Sequence, residues 1–342
     1  MTREREGLLL CLVSAACFGA MPIFAKQAYA EGLGLTPLLA LRFVIAAAML
    51  WTLIALRRRT LGSLRGLAAG AALGLFGYSV QAGLYFGALE RIDAGLASLL
   101  LYAYPAFVTV AAIALRRESP SRRKVGALVL ASGGVALVLV GGGPGELDLL
   151  GAGMAIGSAL FYTCFILASD RVTAHTPPVP FAASVATGAA FSFGVAALIE
   201  GDFGVSGEGV MWAAVIASVS TVMPIVLFMA GLARVGPSTA SIASTIEPPF
   251  TVALAWIVFG ETLGPLQLVG GAFVLSAVIL LQLRRAASSL RSASPDSPLA
   301  RTSERQSSST PPVASQDQVS ATVSVNGRGA SPAAAACSAD IP

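Results

Sequence analysis

Long apolar runs separated by short polar loops make up the chain as far as about Arg285. A helix that crosses a membrane needs roughly 20 mostly apolar residues. That length, applied along the chain, predicts ten spans: 8–28, 36–56, 66–87, 94–115, 123–141, 149–169, 179–199, 209–232, 238–259 and 265–283. The first is longer than the ~7–15-residue core of a secretion signal and many spans follow it, so it reads as a retained helix. Beyond about residue 286 the chain is rich in Ser, Pro and Ala and has no aromatic residue. Such a segment cannot bury a core, and 286–342 is expected to be a disordered tail. The predicted fold class is an all-α polytopic membrane protein with ten transmembrane helices.

Charge sets the expected orientation. Lys and Arg gather on cytoplasmic loops. The second loop has Arg57, Arg58, Arg59 and Arg65, and the fourth has Arg116, Arg117, Arg122, Arg123 and Lys124. Arg171, Arg234, Arg284 and Arg285 fall on the same side. The opposite loops are acidic, with Glu146, Asp148, Glu200, Asp202, Glu208 and Glu261. Lys26 and Arg91 depart from the pattern. Both termini are therefore expected in the cytoplasm, and the tail with them. Trp212 and Trp256 fall near the expected outer interface and Trp51 near the inner one.

Composition agrees and excludes other classes. The chain is 55% hydrophobic and 12% charged, with mean hydropathy +0.77, against ~25% charge in soluble domains. The pI near 9.1 comes from arginines in short loops rather than from a basic face, so nucleic acid is not an expected partner. Cys11, Cys17 and Cys164 lie in apolar runs and Cys337 lies near the C-terminus, so no disulfide framework or metal site is implied. His175 is the only histidine, which rules out a His-based metal or catalytic cluster. With no Gly-rich phosphate loop and no DxxD or Ser/Lys constellation, neither ATP drive, a cofactor nor enzymatic activity is expected.

The chain repeats itself. At one fixed offset, Leu84, Leu89, Arg91, Ala97, Ser98, Pro105, Phe107, Ala112 and Glu118 fall on Leu227, Leu232, Arg234, Ala240, Ser241, Pro248, Phe250, Ala255 and Glu261. The Arg, Pro and Glu matches carry the argument, since Ala and Leu matches mean little in an apolar chain. The expected units are 1–145 and 146–285, each with five spans. An odd number of spans forces the second copy to enter the membrane from the opposite side, and inverted repeats mark secondary transporters.

Two stretches resemble a known family. "LLLYAYPAFVTVAAIALRRESPSRRKVGALVLASGGVALVLV" (99–140) and "STIEPPFTVALAWIVFGETLGPLQLVGGAFVLSAVILL" (244–281) look like the two halves of EamA-type carriers of the drug/metabolite transporter superfamily. The resemblance covers about residues 8–283. It departs at "RRE" (116–118), where the family more often has "GE", and at Pro249, where a small aliphatic residue is more usual. It implies a bacterial inner-membrane carrier, often an exporter of amino acids, metabolites or drugs, and does not supply a single substrate.

In such folds the solute site lies near the midplane, where helices are interrupted. Tyr104-Pro105 and Glu247-Pro248 each lie about ten residues into their spans, roughly 15 Å deep at 1.5 Å per residue. The offset makes Tyr104 and Glu247 equivalents. Pro105, Pro248 and Pro249 are expected to break their helices and free carbonyls near Leu101, Ser244 and Thr245. A midplane carboxylate costs at least about 2.5 kcal/mol. Glu247 has three readings: it binds a cationic or amino-bearing solute, it carries a coupling proton, or it is protonated and bonds a neighbouring helix. Tyr78, Gln81, Tyr102, Tyr162, Ser244 and Thr245 fall at similar depth, as cavity lining or as bonds between helices. Arg42, inside the second span, could bind a solute carboxylate; pairing with Glu90 or Asp93, or snorkelling, is favoured. Lys26 is expected to snorkel, and Gly70/Gly74, Gly83/Gly87 and Gly153/Gly157 to pack helices closely. The reading is a secondary carrier that exports a small organic solute by alternating access; a channel or a non-transporting scaffold is the alternative.

Overall fold

A computed structural model describes residues 3–292 apart from 59, 118, 142–147, 174–175 and 202–206. Arg59, Glu118, Glu146, His175, Asp202 and Cys337, the boundary at 145 and residues 293–342 of the tail lie outside the described residues. The helices are α1 Arg3–Ala30, α2 Leu35–Leu56, α3 Leu64–Leu89, α4 Ala94–Ala114, α5 Arg122–Val140, α6 Leu149–Val172, α7 Pro178–Glu200, α8 Gly207–Gly236, α9 Thr239–Phe259 and α10 Pro265–Leu281. The first nine are long and apolar enough to cross a membrane. The last belongs to a helix that continues to Ser292, past the expected span end at 283 and the expected unit end at 285.

Local chemistry sets the ends. Ser63 and Asp148 accept the Gly66 and Gly151 N–H groups at 3.0 and 2.9 Å and so start α3 and α6. Gly201 and Gly260 end α7 and α9 with φ of 68° and 69°, a left-handed turn that favours glycine. Large apolar side chains such as Leu56, Val129, Phe191, Leu198 and Ile257 are exposed. On a soluble protein they would be an aggregation hazard; on helices that cross a bilayer they meet lipid.

The packing follows the repeat. Contacts pair α2 with α7, α5 with α10 and α4 with α9, while α1 pairs with α8 and α3 with α6, and α3 and α6 pack further on α7 and α4. Moving each helix five places along the chain leaves the first three pairs unchanged and exchanges the α1–α8 pair with the α3–α6 pair. That is the contact pattern of a pseudo-two-fold arrangement. The interruptions repeat as well. A π-helical segment, Leu73–Tyr78, divides α3, and another, Ser218–Val222, divides α8. Short turns divide α4 at Tyr102–Ala103 and α9 at Thr245–Ile246, and the repeat offset carries the first turn onto the second. In contrast, α1 breaks at Ala20 while its counterpart α6 is continuous.

Close packing relies on glycine. A Cβ on Gly134 of α5 would stand 2.7 Å from the Gly270 carbonyl oxygen of α10, and a Cβ on Gly270 would stand 2.6 Å from the Gly134 carbonyl oxygen. Gly70 and Gly74 press on Ser184 and Val185 of α7, and Gly87 on Met154 of α6. Gly153 differs from expectation: nothing lies within 4 Å of its Cβ direction.

Polar ties concentrate at the acidic-loop end. Glu261 accepts from Lys26 Nζ at 2.6 Å and from the Ala94 N–H at 2.8 Å. Lys26 therefore pairs across helices instead of snorkelling, because the end of α9 brings a carboxylate over it. Arg91 bonds Asp148 at 3.1 Å, and Thr36 donates to Glu200 at 3.2 Å. The Gly151 N–H, and then the Arg91 guanidinium, hold the Asp148 pKa below the usual carboxylate range. This exposed tie is present above that range and is lost as pH falls through the lowered pKa; it contributes little to stability.

Replacing Gly270 with Ala should destabilise the protein by about 1–3 kcal/mol through overpacking, seen as a lower thermal midpoint in detergent. Gly133→Ala, which meets nothing within 4 Å, should leave the midpoint unchanged or raise it.

Candidate functional site

The site is built on the two turns that break α4 and α9. Before each turn the ladder tightens: Ala103 N–H bonds the Leu100 carbonyl and Ile246 N–H bonds the Ala243 carbonyl, each three residues back. The second halves then start at Tyr104 and Glu247, with Pro105 and Pro248 at the second helical position. The first turn of a helix has no partner for its N–H groups, so proline there loses no bond. Pro249 falls in that same turn, since the ladder of the second half begins with Phe250 N–H to the Ile246 carbonyl at 3.0 Å. Two successive prolines are thus compatible with a helix that has just restarted. The Pro249 ring points outward and lines a mostly apolar groove of about 490 Å³ with Trp256, Leu268 and Leu275.

The turns touch each other. Tyr102, in the α4 turn, donates its hydroxyl towards the Ser244 carbonyl and towards Glu247 Oε2, both at 2.9 Å. The Ser244 carbonyl, one of those expected to be freed, is therefore paired. Glu247 is the first residue of its half-helix, where the helix dipole favours a negative group. No Lys or Arg lies within 4.0 Å of it among the described residues. Gly19, at the break of α1, packs on the Glu247 carbonyl so closely that a Cβ would stand 2.9 Å away. Thr251 ties the same break, donating to the Gly19 carbonyl at 2.8 Å.

Glu247 lines a cavity of about 120 Å³. Of the residues expected there, the structure brings Tyr78, Gln81, Tyr102, Tyr104 and Tyr162 to the same cavity. The tyrosines pack edge to face, Tyr102 on Tyr104 at 5.8 Å and Tyr104 on Tyr162 at 4.8 Å. The Gln81 side chain also holds α3 to α6 by donating to Ser158 at 3.0 Å. Ser244 and Thr245 do not line the cavity. Their hydroxyls return to carbonyls of their own helix, Ala240 at 3.0 Å and Ile242 at 2.6 Å, as hydroxyls near a helix end readily do.

Arg42 corrects its expectation. It is 2% exposed and lines the cavity, so it does not snorkel. No carboxylate lies within 4.0 Å of it among the described residues, so it pairs with neither Glu90 nor Asp93. Its Nε donates to Thr221 at 3.1 Å. Tyr85, Phe18 and Met21 also line the cavity and escape sequence reasoning, since nothing in a single apolar run marks them. Thr221 has a signal: the repeat offset carries Tyr78 onto it.

The family signature of the EamA-like transporters matches the chain twice, over residues 5–140 and 149–283. The chain belongs to the EamA-like transporter family. Among its relatives is a Bacillus subtilis protein named as the uncharacterized transporter YcbK, 25% identical over 82% of this chain and 93% of that one. An uncharacterized transporter of Archaeoglobus fulgidus is 29% identical over 81% of this chain and 96% of its own. The threonine/homoserine exporter RhtA of Escherichia coli is 29% identical over 60% of this chain and 69% of its own. A solved crystal structure shares the fold, with TM-score 0.58 at 17% identity over 82% of this chain and 98% of that chain. The protein is thus a multi-pass membrane transporter. The helix breaks and their tyrosine-lined cavity lie within the two matched EamA segments.

Tyr102→Phe removes the contacts to Ser244 and Glu247. It should destabilise the purified carrier by about 1–3 kcal/mol, read from its thermal midpoint. Tyr162→Phe, whose hydroxyl makes no such link between the turns, should change the midpoint far less.

Proposed function

We propose that the protein is a secondary active carrier of the inner membrane that exports a small, amino-bearing solute by alternating access, with both termini in the cytoplasm. One observation carries this reading: a carboxylate without a cationic partner among the described residues, Glu247, stands in a cavity at the break between the repeats. A buried carboxylate is costly in a membrane, and an ammonium group on a solute would offset that cost.

Size narrows the solute. The cavity of about 120 Å³ is well below the ~300–1,000 Å³ of drug-sized pockets. That size favours a compact amino compound over a drug-sized solute. The name of RhtA, a threonine/homoserine exporter, points to solutes of that size.

Glu247 also suits a coupling proton. The Tyr102 hydroxyl has one hydrogen and two acceptors at 2.9 Å. A proton on Glu247 would let its carboxyl donate to Tyr102 while Tyr102 donates to Ser244, so protonation breaks neither contact. The exchanged helix pairs support alternating access: units 1–145 and 146–285 present equivalent surfaces, and either end can open by a related movement. The positive-inside pattern supports the orientation. A channel or a scaffold has no need of an isolated carboxylate at the helix breaks.

The test is solute flux in proteoliposomes. Glu247→Gln should abolish flux, or remove its dependence on an imposed pH gradient, while the protein still elutes as a folded species. Unchanged flux with unchanged pH dependence would take Glu247 out of the mechanism.

A further inference from the structure

Arg42 is the largest fully buried side chain among the described residues, and solute transport through Glu247 alone gives it no role. Its guanidinium lies between two rings, 4.8 Å from the centroid of Phe43 and 5.0 Å from that of Phe86. One hydroxyl holds it: Thr221 accepts from Nε at 3.1 Å, and Tyr78 lines the same cavity. The Thr221 O–H is committed to the Ile216 carbonyl at 2.9 Å, so towards Arg42 this residue can only accept.

Thr221 and Tyr78 are one position used twice. Tyr78 and Thr221 are equivalents under the repeat offset, and each lies in the π-helical segment of its repeat, Leu73–Tyr78 or Ser218–Val222. Such segments often mark functional sites. The repeat equivalent of Arg42 itself is Val185, so the frame is duplicated and the charge is not. A guanidinium offers five N–H donors. The Thr221 hydroxyl engages one of them, and among the described residues no carboxylate engages the rest. Arg42 lines the same cavity as Glu247.

A buried guanidinium and a half-buried carboxylate, one from each repeat, share a small cavity without pairing to each other. A solute that carries both charges leaves the net charge of the site unchanged. A bare amine or a bare acid would add an unbalanced charge where desolvation is expensive. The planar fork of arginine also matches a carboxylate better than a lysine would.

We propose that Arg42 is a specificity-determining residue that binds the carboxylate of an amino-acid solute whose ammonium group sits at Glu247. This rests on the carrier reading above and adds the second half of the substrate. It makes the site a two-point reader that prefers a zwitterion to either of its fragments.

The experiment is binding to the purified full-length carrier by calorimetry, with matched probes. Glycine, L-alanine, L-serine, L-threonine and L-homoserine are compared with their decarboxylated amines. In wild type the best amino acid should bind at least about tenfold more tightly than its amine, the scale of a charged hydrogen bond. Arg42→Gln should remove that preference by weakening the amino acid while leaving the amine within about threefold. Should that variant fail to fold, Thr221→Val keeps the charge and removes the acceptor of its Nε, and it should narrow the same ratio. Amines binding as well as amino acids in wild type, or a ratio unmoved by these variants, would overturn the role of Arg42 and leave the carrier reading intact. Neither class binding, together with no flux of either in proteoliposomes, would overturn both.

Discussion

A helix interrupted inside hydrocarbon must have its exposed backbone covered by protein, because lipid offers no hydrogen bonds. Here the interruptions of α4 and α9 cover each other: the Tyr102 hydroxyl, from one turn, reaches the Ser244 carbonyl at the other. That requirement fixes much of the rest. The two turns must stay in contact, so α4 and α9 must pack together. The bends must be surrounded, so α1 comes close enough for Gly19 to touch the Glu247 backbone, and α6 stands behind Tyr104 with Tyr162 and Thr163. The cavity is the space those constraints leave where the helices bend apart.

The frame is symmetric and the chemistry is not. Pro105 and Pro248, the π-helical segments, the breaks of α4 and α9 and the helix pairs recur at the same offset. Several side chains at and near the cavity do not: the equivalent of Arg42 is Val185, of Lys26 Ser169, of Tyr102 Thr245 and of Tyr104 Glu247. The tie at the acidic end depends on this asymmetry. Glu261 holds Lys26 and the Ala94 N–H, and the counterparts of those donors are Ser169 and Pro237. A serine cannot supply the cation and a proline has no N–H. Those two counterparts cannot rebuild the same clamp at the arginine-rich end.

How much of this is legible in the sequence follows from what each residue depends on. The spans can be read because apolar length alone decides whether a helix crosses a membrane. The breaks can be read because proline acts locally, and the repeat can be read because Arg, Pro and Glu are rare enough in this chain for coincidence to count. Arg42 defeats sequence reading because its surroundings come from elsewhere: Phe86 and Tyr78 from α3, and Thr221 from α8. Sequence marks the charge but not what folds over it. Ser244 and Thr245 depart from the expected lining because a hydroxyl near a helix end can turn back on its own carbonyls. Pro249 becomes intelligible only once the restart of the helix is located, since a proline harmful in mid-helix is harmless in a first turn.

The position of Tyr102 ties solute loading to the bend itself. Its single hydroxyl hydrogen has two acceptors, the Glu247 carboxylate, which belongs to the proposed binding site, and the Ser244 carbonyl, which belongs to the break. With the carboxylate bare, that hydrogen is divided between them. When an ammonium group or a proton neutralises Glu247, the carboxylate competes less and the hydrogen turns to Ser244, closing the backbone gap more firmly. In the proposed mechanism, occupancy of the site therefore changes how tightly the two turns are held together, and those turns are where the repeats must bend relative to each other. A residue that is aromatic in one repeat and threonine in the other makes this link one-sided, so solute enters the energetics of the bend through α4 and α9 together rather than through either helix alone.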